Sequence, residues 1–523
     1  MVNTPLLAPL LTETEYLWQY TSQPDPNLGG RAPTAGQGRA LGGGSAVNYM
    51  AYCRAAPSIY DEWAAISGNH GLRYENLFQD FKATTHYQEQ VLTYDPRLNA
   101  SAYDHGPLQI AATSDTMDWT LQFTEAMKDA LGLPQVDLNG GDSLGVTSGA
   151  SSILASNRTR SYALTAFGWK MADRPNVHIR HGAWVSKILF ENKQAIGVRY
   201  HDINDNSTHE LHAREIILAG GAINTPKLLL LSGVGPQNDL RALSIPLVLD
   251  APHIGSNLYN HHFSVISYEA YPHVETLGKY MQNQTFSQQS NMSYAQNGSG
   301  ILGQTSAPFA VAQGPNNTSW GGINGTYPKE EEGKEEKNDR GQLLYQLTNG
   351  ALIPGIGTNT STLSAFVALI QPQSTGSIRL NSSSYRIPPL INSNYYGHPV
   401  DKSLILHGYK QLRRIMQQPC MTQHVVQREI FPGPHVADDD DEGLWKAIQE
   451  TAQTFYHPVG TCALGNVVDG NWRVKGLGGG LRVVDSSTLP TPPTCHLQAS
   501  VYAVARRAAR DIRGDDGDEG CFV

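Results

Sequence analysis

A chain of 523 residues with 38 basic and 47 acidic side chains, net charge −9, is too long for one small domain. It has no Lys/Arg stripe to follow a nucleic-acid backbone, so nucleic acid is not an expected partner. Hydrophobic residues at 40% and charged residues at 16%, with 51 Gly and 30 Pro, describe a loop-rich globular protein rather than a disordered or coiled-coil one.

The N-terminal stretch "MVNTPLLAPLLTETEYLWQY" has neither the basic region nor the apolar region of a signal peptide. The most apolar stretch, around Leu228–Leu231, falls far short of the ~20 residues that cross a bilayer, so no membrane association is expected. From Gly38 to Met50 the chain reads "GRALGGGSAVNYM". Glycines at 42–44 followed by Ser45 can turn backbone N–H groups toward an anion, although such runs are more often plain loops. Leu41 stands where a dinucleotide fingerprint needs its third glycine, and no Gly-Lys-Ser/Thr is present, so the loop alone does not identify a ligand.

Further along, Asn176–Asp202 reads as three short strands with a turn at Glu191–Gln194. A strand at Ile216–Leu218 and a Gly220-Gly221 turn follow. A helix is then expected with Thr225 as N-cap, Pro226 at its first position and Gly233 as its stop. The region 282–357 is rich in Asn, Gly, Ser and Gln and contains the charge run Lys329–Arg340, which reads as solvated loop. Acidic residues from Asp438 read as the first turn of a helix rather than a metal site. Val501, Val504, Ala505, Ala508 and Ile512 fall on one face of a helix expected from about Gln498 to Gly514, with His496 just before it.

Five cysteines, none at C-x-x-C spacing, do not make a disulfide framework and leave at most one or two bridges. N-x-S/T sequons at Asn99, Asn157, Asn206, Asn283, Asn291, Asn297, Asn316, Asn317, Asn324, Asn359 and Asn381 point to secretory glycosylation, or to chance in an Asn/Ser/Thr-rich chain. Two histidines, His457 in a glycine-containing turn and His496 at a helix start, can enter one cleft. No third ligand at recognisable spacing makes them a metal site.

These motifs resemble those of the glucose-methanol-choline (GMC) flavoprotein oxidoreductases. "GGGSAVNYMAYCR" is similar to the family's first signature and "AGGAINTPKLLLLSGVGP" to its second. "IGSNLYNHH" resembles the element "VGxNLQDH", and "HPVGTCALG" resembles the segment with the active-site histidine. The resemblance implies mixed α/β and α+β architecture: a Rossmann-like FAD-binding domain and a second domain of antiparallel sheet covered by helices. It further implies a discontinuous FAD domain at 1–55, 170–260 and 455–523, a helical cover at 56–169 and a substrate domain at 261–454.

FAD is the implied cofactor, and the implied reaction is oxidation of a small-molecule alcohol, with O2 or a quinone as electron acceptor. By the same resemblance His457 is the base and His496 its partner, a position that is His or Asn in relatives. Gly42, Gly43, Gly44 and Ser45 would follow the pyrophosphate, and Asn48, Tyr49, Met50 and Ala51 the isoalloxazine. Val185 would meet adenine, Asp485 and Ser486 the ribityl and phosphate portion, and the helix start at Gln498 the reduced flavin.

The chain departs from the pattern at Gly44 (usually Ser), Ala55 (usually Gly) and Tyr259-Asn260 (usually Gln-Asp). The G-x-G-x-x-G unit expected at the start of the family is absent from this sequence, which makes weak FAD binding the expectation. A non-redox flavoprotein cyclase and an inactive glycoprotein are the alternative functions.

Overall fold

The computed structural model describes residues 1–88, 99–112, 119–305, 308–315, 339–353, 355–356 and 361–514. The sequons at Asn316, Asn317, Asn324 and Asn359, and most of the charge run, lie outside them. Two hydrophobic cores organise the chain. The first gathers around a parallel strand pair, Ile216–Leu218 with Leu481–Val483, in register Ile216↔Leu481 and Leu218↔Val483. This is the Rossmann-like part: an apolar strand, a glycine turn with Gly221 at φ +79°, and a helix.

That helix runs from Gly221 to Leu231, so Thr225 and Pro226 lie inside it instead of at its start. Asp485, at the end of the neighbouring strand, is the reason. Its carboxylate accepts the Gly221 N–H at 2.9 Å and the Thr225 hydroxyl at 2.6 Å, which starts the helix one turn early. Pro226 then has no N–H to offer the carbonyl of Ala222. The hydroxyl of Thr461, 239 residues away, donates to that carbonyl at 2.7 Å and takes the missing bond's place.

The strands read within Asn176–Asp202 are two long ones, Ala183–Glu191 and Gln194–Asp202. They are joined through Asn192 and Lys193, both at positive φ as a tight hairpin turn requires. The third strand of this sheet is Thr208–His212, beyond the expected segment.

The second core lies under an antiparallel sheet of seven strands. Its central strands, His262–Ala270, Leu343–Thr348 and Thr362–Leu369, are buried along almost their whole length. Alternation divides their side chains. Ile266, Tyr268, Ala365 and Val367 face helices Pro399–Met416 and Asp441–Thr451, while Phe263, Val265, Phe366 and Ala368 form a separate cluster with Cys53, Phe309 and Cys495 on the other face. Helix Asp441–Thr451 begins as its acidic sequence suggests, with Asp440 accepting the Gly443 N–H at 2.9 Å. Within 56–169, helix Thr120–Leu131 and strand Gly145–Thr147 pack with this second core, and helices Pro57–Ser67 and Tyr74–Thr84 with the first.

The C-terminal helix, Leu497–Arg513, ends at Gly514 in the left-handed conformation. It buries Ala499, Ser500, Ala503, Val504, Arg507 and Ala508, so the inner face is rotated from the apolar stripe and Ala505 is exposed. Polar partners cause the rotation. Ser500 bonds the Tyr60 hydroxyl at 2.8 Å, Arg506 and Arg510 reach the buried Asp80, and Asp511, which pairs with Arg507 on this same helix, accepts from Asn69 and Trp472, each at 2.9 Å.

Two predictions follow from these contacts. Thr461→Val should leave the Ala222 carbonyl buried without a donor and cost about 1–3 kcal/mol in chemical denaturation. An unchanged midpoint would show that the carbonyl needs no such partner. Asn99, Asn157, Asn206, Asn283, Asn291, Asn297 and Asn381 are all exposed. Protein made through a eukaryotic secretory pathway should therefore lose mass on endoglycosidase treatment, with glycopeptides mapping to these positions.

Candidate active site

His457 and His496 meet where the parallel pair and the antiparallel sheet face each other. His457 follows an irregular turn in which Tyr456 has φ +59°. Asn260 holds that turn: its Oδ1 accepts the His457 N–H at 3.0 Å, and its Nδ2 donates to the Tyr395 and Thr454 hydroxyls, each at 2.9 Å. The residue that departs from the family's pattern thus anchors the histidine's backbone. An aspartate there would lack the amide donors. His496 immediately precedes the C-terminal helix, and the two rings lie 5.7 Å apart, nearly perpendicular.

A third imidazole completes the group. Nδ1 of His261 lies 2.9 Å from Nδ1 of His457 in a hydrogen bond, and the His261 side chain is fully buried. Sequence reading quoted His261 only as part of a motif; its place directly before strand His262–Ala270 was the one available signal. Phenylalanines enclose the three rings. Phe455 lies 4.7 Å from His457 and 5.2 Å from His496, Phe309 5.0 Å from His496, and Phe263 and Phe366 stand behind Phe455.

This apolar wall decides the charge state. Burial pushes His496 down to about 4 and, with the nearby His496 and His262 adding to it, His261 down to about 3. Burial likewise holds His457 well below the usual imidazole range, reinforced by His261 and His496. All three are therefore neutral at pH 7 and can accept a proton.

The glycine loop lies beside this group. Gly42 and Gly43 have positive φ, and Gly43–Ala46 forms one helical turn. A side chain at Gly42 would strike the Tyr162 ring, whereas nothing lies within 4 Å of where a Cβ would stand on Gly43 or Gly44. The Gly43 N–H is spent on the Ala40 carbonyl at 2.9 Å, but the loop has one open side at Gly43 and Gly44, which suits a phosphate. Ser45 is turned inward, its hydroxyl donating to the Gly42 carbonyl at 2.6 Å. Asn48 joins the loop to the C-terminal helix: Nδ2 donates to Gln498 Oε1 at 3.2 Å, while Oδ1 accepts from Arg160 at 2.7 Å and from the Met50 N–H at 3.1 Å. Gln498 in turn donates to the Ala51 carbonyl at 2.6 Å.

Tyr49 is partly exposed between these anchored residues. Val185 lies on the edge strand of the three-stranded sheet. The Asp485 carboxylate is spent on Gly221, Thr225 and the Ser487 N–H, so it fixes two strand ends; Ser486 opens the short turn after it. A separate surface cavity of about 350 Å³ includes Tyr268, Arg413, Glu429 and Asp438. It lies toward the far end of strand His262–Ala270 from His261, and Arg413 is already paired with both acids.

Known proteins resemble this chain in sequence and in fold. The sequence profile of the GMC oxidoreductases matches residues 21–263 with its N-terminal part and 372–505 with its C-terminal part. The chain is 30% identical to the GMC oxidoreductase family protein Mala s 12 of Malassezia sympodialis, over 96% of this chain and 84% of that protein. It is also 30% identical to an alcohol dehydrogenase (acceptor) of Pseudomonas putida, over 98% of this chain and 88% of that protein. Its fold matches an FAD-dependent oxidoreductase from Chaetomium thermophilum with a TM-score of 0.84 at 25% identity, covering 98% of this chain and 92% of that one.

The depressed imidazoles set a pH prediction. Between about pH 6.5 and 4 the unfolded chain protonates His496 while the folded chain does not, so stability is complete above 6.5 and falls as pH drops toward 4. His496 alone accounts for on the order of 3 kcal/mol of this. The thermal midpoint should fall over that window, and more shallowly in His496→Asn; parallel curves would contradict the burial argument.

Proposed function

The chain belongs to the GMC oxidoreductase family, and on that premise we propose that it oxidises the CH–OH group of a small neutral alcohol, with FAD along the glycine loop and His457 as base. The observation that carries this reading is the neutral His457–His496 pair, anchored by Asn260 and set beside the anchored loop Gly42–Ala51. The open side of Gly43 and Gly44 would take the pyrophosphate, Asn48–Ala51 would lie along the isoalloxazine, and Val185 would meet the adenine. Bound there, FAD supplies the acceptor for the hydride that leaves the alcohol carbon.

The protein's own part is proton management and enclosure. Nε2 of His261 is buried without a hydrogen-bond partner among the described residues; we assign the proton of the neutral ring to it, which leaves Nδ1 to accept from His457. His457 then donates from Nδ1 and keeps the lone pair of Nε2 for the substrate hydroxyl. The buried setting resists a charged imidazolium, so proton uptake is favoured only when charge changes nearby compensate it. The phenylalanines around the histidines exclude water and suit an alcohol with an aromatic or conjugated body. The wall offers no cation for a phosphate or carboxylate. O2 or a quinone would carry the electrons away.

His457→Ala should lower turnover by roughly two to four orders of magnitude, and His496→Ala by less. Anaerobic addition of candidate alcohols should bleach the flavin absorbance of the unaltered protein. Wild-type turnover in the His457 variant would remove the base assignment, and cyclisation without bleaching would move the reaction to the non-redox class.

A further inference from the structure

We propose that the Cys53–Cys495 disulfide is a positioning element of the active site that selects which nitrogen of His496 carries the proton. The inference rests on the reading of His496 as the second histidine of the reaction. The bond joins residues 442 apart, with Cα atoms 6.1 Å from each other, and both side chains are buried. Cys53 follows the loop-bearing segment that ends at Ala51–Tyr52, and Cys495 directly precedes His496.

The sulfur lies against the imidazole itself. Cys53 Sγ is 3.4 Å from His496 Nδ1 and accepts the His496 backbone N–H at 3.3 Å; Cys495 Sγ is 3.9 Å from the same Nδ1. The rings of Phe309, Phe455 and His457 pack against His496. Among the described residues, the polar partners of Nδ1 are the two sulfurs.

A disulfide sulfur has lone pairs and no hydrogen, so it can only accept. With the bond closed, the proton of the neutral ring sits on Nδ1 and points at sulfur, and Nε2 carries a lone pair. Opening the bond reverses the sense. A dithiol reductant breaks S–S, each sulfur gains one hydrogen, and the reductant becomes a disulfide; two electrons and two protons are transferred. The Cys53 thiol can then donate to Nδ1, which moves the ring proton to Nε2. Closed, His496 meets the substrate hydroxyl as an acceptor beside His457; open, it meets it as a donor. These three side chains could also gather a soft metal ion if both cysteines were thiols.

The test uses purified protein with imidazole-¹⁵N histidine. A non-reducing peptide map should show Cys53 linked to Cys495, and long-range ¹⁵N–¹H spectra should show His496 with its proton on Nδ1. After reduction by a small dithiol the proton should appear on Nε2, and kcat should fall about tenfold with KM changed less than twofold. Cys53→Ser/Cys495→Ser, whose hydroxyls can donate as the thiols do, should reproduce the kcat loss, and if it fails to fold, the dithiol arm decides alone. Free thiols at both positions in active protein, a stoichiometric metal ion between them, or one tautomer in both redox states would overturn the proposal. Full activity of His496→Ala would instead overturn the reading beneath it, whatever the spectra show.

Discussion

The seam between the two cores buries His261 and His496 and half-buries His457, and the rest of the site is arranged around that fact. Burial alone would leave them neutral but undirected. Each ring therefore has a specific neighbour: His261 bonds His457, the Cys53–Cys495 pair touches His496, and Asn260 fixes the backbone from which His457 projects. Phenylalanines supply the low-dielectric surroundings without competing for the ring nitrogens.

The segments that deliver these groups are stabilised from a distance. Helix Gly221–Leu231 closes its first turns with help from Asp485 and Thr461. The glycine loop is held through Asn48 by the C-terminal helix and by Arg160. The parallel pair, the loop and the histidine turn therefore share supports, and a change in one is felt by the others.

Much of this was legible in the sequence where the signal was local. Strand, glycine turn and helix at 216–231, the acidic helix start near Asp441, the glycine stop at Gly514 and the pair of histidines that the structure brings together each follow from a few adjacent residues or from a motif. What stayed hidden depended on partners far along the chain. Thr225 and Pro226 look like a helix start until Asp485 and Thr461 are brought to them. The C-terminal helix turns toward Ser500 because Tyr60 waits there, and the buried Asp80 draws Arg506 and Arg510, which an apolar stripe does not record. His261 reads as a motif residue, and five scattered cysteines do not name their pairing. The departure at Asn260 was visible, but its use depends on Tyr395 and Thr454, 135 and 194 residues further along the chain.

The span between Cys53 and Cys495 also imposes an order in time. At ribosomal speeds of about 5–20 residues per second, Cys495 emerges roughly 20–90 seconds after Cys53. For that interval Cys53 is a thiol without its native partner, while the strands of both sheets, from Gly145–Thr147 and Ile216–Leu218 onward, are still being made. Cys420 and Cys462 are synthesised in between and are free in the folded protein. Any early pairing with them would have to be undone before His496 could be seated. Biosynthesis of this site thus calls for an environment that reshuffles disulfides as well as one that forms them.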